Sequence, residues 1–136
     1  MKVAGGYGLD PREAWCKLYK GYMGDDYHSY NAHAESFALA QLPWTAEQIG
    51  VAMDEYLDNA EHTDLTIDGF IRSEPAVIEH ELLARGYWYA YHAGGMTDND
   101  LLRLCWDLED AINTDGASDL ANAERELDSA LIRLLG

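Results

Sequence analysis

Apolar residues recur along this chain at three- and four-residue spacing, and that period predicts helices from one end to the other. Asp10, Pro11 and Glu13 supply an N-cap, a proline at the first helical position and a capping-box acid. The helix they open runs through Tyr22, with Trp15, Leu18, Tyr19 and Tyr22 as its stripe and Gly21 and Gly24 as its exit. Tyr30, Ala34, Phe37, Ala38 and Leu42 predict a second helix over 29–42, which Pro43 ends. Thr45, with Gln48 three residues on, is a capping box for a third helix through Glu61, and Trp44 stands where a hydrophobic staple would.

Residues 62–72 read as a connector with a short apolar alternation. Ser73 opens a fourth helix that carries Val77, Ile78, Leu82, Leu83 and then Tyr87, Trp88, Tyr89 and Tyr91, and it stops at Gly94 and Gly95. Thr97 caps a fifth, with Asp98 and Asp100 in its first turn and Leu101, Leu104, Cys105, Leu108 and Ile112 as its stripe. After a break at 113–116, Ser118 caps a last helix with Leu120, Ala123, Leu127, Ala130, Leu131 and Leu134 at helical spacing. Five to six helices without a strand pair predict an all-α, compact single-domain bundle with short connections. A length of 136 residues fits one domain able to bury about two thirds of its unfolded surface.

Charge changes this picture. Lys and Arg number 9 against 25 Asp and Glu, a formal net charge of −16. Between Lys20 and Arg72 there are ten carboxylates and no Lys or Arg. Within that stretch Glu47, Asp54, Asp58 and Glu61 fall in roughly a 60° sector of the third helix, opposite Ile49, Ala52, Met53, Tyr56 and Ala60. The expectation is one face for the core and one for carboxylate, with Asp107, Glu109 and Asp110 of the fifth helix and Asp119, Glu124, Glu126 and Asp128 of the last extending the field. An ordinary solvated helix intersperses cations at three- and four-residue spacing, which this one lacks. Glu47 to Glu61 spans about 21 Å, over which one DNA strand carries about six phosphates, so these four carboxylates approach but do not match that density and other helices must contribute.

A charge of this size repels nucleic acid and anionic membranes and attracts basic surfaces. No run of eighteen apolar residues suggests a membrane span and no apolar stretch after Lys2 suggests a signal peptide. Cys16 and Cys105 are single and far apart, which predicts a reduced, cytoplasmic setting.

Candidate chemistry is sparse. His28, His33 and Glu35 cluster, and His80 lies between Glu79 and Glu81, but there is no HExxH, and His33 and Glu35 point about 200° apart on a helix. These histidines read as solvated or locally hydrogen-bonded. The run from Asp64 to Pro75 resembles the calcium loop of an EF-hand, with Asp64, Thr66, Asp68, Gly69 and Ile71 at the first, third, fifth, sixth and eighth positions. It departs where the loop closes: Pro75 is twelfth and Glu74 comes one residue early. The competing expectation is a helix connector that Gly69 turns. No serine or cysteine sits in a nucleophile motif, and Gly5, Gly6 and Gly8 lack the context of a phosphate loop, so no enzymatic activity and no cofactor are implied.

A small helical chain with a large negative charge, many Tyr and Trp and no catalytic motif is similar in kind to the DNA-mimic inhibitors that phages and plasmids carry against restriction or CRISPR systems. That resemblance implies a partner that is a basic nucleic-acid-binding protein or nuclease complex, met through Glu47, Asp54, Asp58, Glu61, Asp107 and Asp110. Two alternatives stand beside it: a helical adaptor that binds through its aromatic helix, and a degenerate EF-hand-like calcium module.

Overall fold

The computed structural model describes residues 10–28, 31–59, 63–92, 98–114 and 117–135, with the side chains of residues 117 and 135 left aside. Among the described residues every regular element is a helix: α1 (Pro11–Met23), α2 (Ala32–Ala40), α3 (Ala46–Asp58), α4 (Ile67–Arg72), α5 (Glu81–His92), α6 (Asn99–Thr114) and α7 (Ala117–Leu135). The all-α class is therefore what the periodicity predicted, with seven helices for the expected five to six. The chain divides into two compact units, Met1–Ile78 and Glu79–Gly136.

The first unit is built around Trp15, which is fully enclosed. Asp10 caps α1 by accepting from the Arg12 N–H, Pro11 needs no hydrogen-bond partner there, and Gly24 ends the helix in the left-handed region at φ 81°. The apolar stripe this creates presses Trp15 against Tyr27, Phe70 and Tyr56, with ring centroids 5.8, 5.8 and 6.1 Å away. Met53, Ile67 and Phe70 close the same core. Burying one side chain of this size is worth about 1.5–3 kcal/mol, so the aromatic cluster outweighs any single surface contact in the unit.

Local chemistry sets where the helices begin. The Thr45 capping box forms on both sides: Gln48 N–H donates to Thr45 Oγ1 at 3.2 Å and Thr45 N–H donates to Gln48 Oε1 at 2.7 Å. Asn31 caps α2 by accepting from the Ala34 N–H, so that helix starts three residues later than the expected 29.

The stretch read as a connector contains α4. Thr66 caps it by accepting from the Gly69 N–H at 3.0 Å, and Ile67, Gly69 and Phe70 are buried. The alternation of Ile67, Gly69 and Ile71 masked a helix too short to show a full period. Ser73 ends α4 and does not open the next helix, its hydroxyl donating to the Phe70 carbonyl at 2.6 Å. Glu74 then turns the chain at φ 52°, and residues 74–78 run without helix.

The second unit is a three-helix arrangement in which α5, α6 and α7 each touch the other two. α5 starts at Glu81 because His80 caps it: the imidazole Nδ1 accepts from the Leu83 N–H at 3.3 Å and the His80 carbonyl from the Ala84 N–H at 3.0 Å. The ring's Nε2 then donates to Glu124 of α7 at 2.8 Å. α6 is capped by Asp98, which accepts from the Leu101 N–H at 3.0 Å. Thr97, the expected cap, lies outside the described residues.

Leu101, Cys105 and Leu108 of α6 and Ala123, Leu127 and Leu131 of α7 are buried as their spacing predicts. Ile112 is more than a third exposed, since it falls at the end of the stripe. Helix crossing depends on Gly86, where an added Cβ would stand 2.7 Å from Cys105 Sγ and 2.9 Å from Leu127 Cδ2. Gly86→Ala forces α5 away from both neighbours. It is expected to cost about 1–3 kcal/mol in chemical denaturation, against the small gain in helix propensity that alanine gives in an open helix.

Candidate functional site

The predicted carboxylate stripe on α3 divides in the structure. Glu47 is not on the surface: it is 0% exposed, flanked by the buried Ala46, Gln48 and Ile49. Its neighbour Gln48, in the first turn of α3, is held from a distant segment, with Nε2 donating to the Ile78 carbonyl at 2.9 Å, a tertiary contact that the helical projection does not contain. A carboxylate there also faces the positive end of the α3 dipole. Glu47 is therefore no part of an exposed carboxylate stripe. Asp54 is half-buried and Asp58 exposed, while Glu61 lies outside the described residues.

The absence of cations from 21–71 is compensated from its flanks and by phenols. Arg12 Nε reaches Glu35 at 3.3 Å, Lys20 Nζ reaches Asp26 at 3.0 Å, and Arg72 Nη2 stands 2.7 Å from Asp68 and 3.5 Å from Asp64. Lys20 holds the Asp26 carboxyl below the usual carboxylate range. Tyrosine hydroxyls reach carboxylates as well, beside Arg12 at Glu35 and also at Asp54 and Glu109. Tyr22 donates to Asp54 Oδ1, Tyr27 to Glu35 Oε2 at 2.6 Å and Tyr87 to Glu109 Oε1 at 2.5 Å. A phenol satisfies the carboxylate's lone pairs without removing its negative charge.

Burial, and then the adjacent carboxylate, pushes the Tyr22, Tyr27 and Tyr87 phenols well above their ordinary range. Burial likewise pushes the Cys105 thiol up to about 12, which keeps it protonated at neutral pH, and raises Cys16.

The calcium-loop resemblance meets a different geometry. Residues 67–72 are helical, Asp64 Oδ1 accepts from the Thr66 hydroxyl at 2.7 Å, and Asp64 and Asp68 converge on the Arg72 guanidinium. Gly69 lets the Asp64 carboxyl pack over the helix, since a Cβ there would lie 2.4 Å from Asp64 Cγ. Among the described residues no group of three or more His, Cys, Asp or Glu is placed to hold a metal ion. His28 and His33 are exposed, and His80 is the α5 cap described above.

Asp107 and Asp110 are exposed on α6 and line one groove with Asp119 and Glu126 of α7. The groove has a volume of about 290 Å³, and Ala111, Thr114, Asn122 and Ala123 complete its walls. None of its lining residues is a cation. Asp107, Asp110 and Thr114 recur at i, i+3 and i+7 on α6, as do Asp119, Asn122 and Glu126 on α7, so each helix turns one polar row toward the other. That matched spacing was the available signal for Thr114 and Asn122, which an inspection of charge alone passes over. Four like charges in one open groove repel each other, and a positively charged partner relieves that repulsion.

Comparison with known proteins finds no matching family model, no matching curated protein and no matching solved structure. Among the described residues no helix is long and apolar enough to cross a membrane.

Two expectations follow. A phenol whose folded-state titration is raised binds its proton more tightly folded than unfolded, so its stabilisation is complete below the ordinary tyrosine value of 10 and is lost as pH rises beyond it. Circular dichroism followed alongside phenolate absorbance should show unfolding that begins above pH ~10 and moves to higher pH in Tyr87→Phe. At Glu47, Lys should destabilise by about 3 kcal/mol or more in urea unfolding, whereas Asp58→Lys should change stability by less than about 0.5 kcal/mol.

Proposed function

We propose that this protein is a non-enzymatic acidic inhibitor of DNA-mimic type, an anti-CRISPR or anti-restriction protein of a phage or mobile element. It acts in the cytoplasm by occupying the basic nucleic-acid-binding surface of a host nuclease complex. The observation that carries this reading is the α6–α7 groove, in which Asp107, Asp110, Asp119 and Glu126 face one opening with no cation among its lining residues. From Asp119 to Glu126 the helix rises about 10 Å, over which duplex DNA presents about six phosphate charges. Four carboxylates in that length are of the same order. Asp54 and Asp58 of α3 give the first unit an acidic face of its own.

Mimicry by carboxylates works through displacement. The Lys and Arg that line a nucleic-acid channel exchange phosphate for carboxylate, and the inhibitor excludes substrate by standing where it would bind. The phenol pairs suit this task, because Tyr22 and Tyr87 order their carboxylates while leaving the charge in place. A second reading, an adaptor that binds through aromatic side chains, draws support from Tyr91 and Trp106, both about half exposed.

The two readings separate on salt. A pull-down from host cells at low and high salt should capture a nuclease or other nucleic-acid-binding complex, and the capture should be lost with salt. It should also be lost when Asp54, Asp58, Asp107 and Asp110 are changed together to Lys. Glu47 is left out of that variant because its reversal tests folding. A partner retained through both changes would refute mimicry and favour the adaptor.

A further inference from the structure

The geometry points to a docking surface on the second unit for an arginine-bearing segment of a protein, formed by exposed aromatic side chains of α5 and α6 and rimmed by the groove carboxylates. This rests on the reading above, that the acidic surface meets a basic partner, and specifies how.

The surface can be followed from side chain to side chain. Tyr87 and Tyr91 stack along α5, with 6.3 Å between ring centroids and 14° between planes, and Tyr91 is 46% exposed. The Tyr87 hydroxyl carries the strip onto α6 by donating to Glu109 at 2.5 Å. Trp106 lies one turn before Glu109 and Asp110, which makes it their neighbour on the helix surface, and it is 53% exposed. Asp110 then opens into the groove shared with α7. Arg103, one turn before Asp107, ends the strip with the first cation met along α6 in that direction.

An indole left half open to water, one turn from the carboxylate that a stacked phenol pair reaches, is the kind of group that anchors a protein interface. Charge says what covers it. A neutral or acidic partner would desolvate Glu109 and Asp110 without offering a counter-charge, and that costs more than the aromatic contact returns.

Among cations, arginine fits the arrangement and lysine does not. A guanidinium is planar, so it stacks on the Trp106 ring while its N–H groups fork onto the carboxylate one turn away; an ammonium is a point charge that does only one of these well.

Calorimetric titration of the full-length protein with a short peptide of alternating Arg and Ala, and with its Lys counterpart, tests this. The Arg peptide should bind more tightly than the Lys peptide. Trp106→Ala should weaken the Arg peptide roughly two- to fivefold, the range of an exposed cation–π contact, and leave the Lys peptide nearly unchanged. Tyr91→Ala should act in the same direction, and both variants should melt with the parent because neither side chain is in the core. Asp110→Asn should weaken both peptides.

Equal affinity for the two peptides, no binding of either, or Arg binding indifferent to Trp106 would overturn the proposal. If the peptides bind alike but both weaken with salt and with Asp110→Asn, the aromatic docking surface fails while the acidic reading stands. If neither salt nor the carboxylate change matters, both fail.

Discussion

The hydrogen bond from a tyrosine hydroxyl to a carboxylate is the interaction on which this protein depends. A chain with 25 acids and 9 bases cannot give every carboxylate its own cation, and leaving the others free beside buried surface would set unsatisfied charge against the core. Tyr27 illustrates the solution. Its ring meets Trp15 edge-on, its oxygen accepts from the Ile67 N–H at 3.2 Å, and its hydrogen goes to Glu35, which also receives Arg12. One side chain thus joins α1, α2 and the start of α4. Tyr87 repeats the arrangement between α5 and α6 through Glu109.

Under the proposed function this pairing matters. Salt bridges would tie the fold together at the cost of neutralising the surface; phenols tie it together and keep the field. Among the described residues, Lys and Arg pair with Glu35, Asp26, Asp64 and Asp68. Where carboxylates gather in the α6–α7 groove, no cation stands among the lining residues. The aromatic content that the composition advertises is accordingly divided between core packing around Trp15, hydrogen bonding to acids, and the open faces of Tyr91 and Trp106.

What the sequence made legible was local. The capping box at Thr45, the Asp10–Pro11 start, the Gly24 exit and the stripes of α6 and α7 are fixed by residues within a turn or two of one another, so period and cap chemistry suffice to find them. What it hid depends on distant segments. Glu47 projects to the acidic side of α3 and is fully buried in the folded chain. The stretch from 21 to 71 contains no cation, yet Arg12 reaches into it across 23 residues. The α4 helix is too short to show its period, and His80 reads as a surface histidine until its ring is seen capping α5. The acidic groove lay between these cases: Asp107, Asp110, Asp119 and Glu126 were legible as charges, and their meeting in one groove needed the matching i, i+3, i+7 spacing of the two helices.

The proposed substitution of carboxylates for nucleic acid on a basic partner is tested most directly by a competition experiment on the captured complex, in which fluorescently labelled duplex DNA is displaced by increasing amounts of the protein. Mutually exclusive binding is predicted, with complete displacement of the DNA and an affinity that falls steeply as salt is raised. A stable ternary species, with DNA still bound and the protein seated elsewhere, would contradict it.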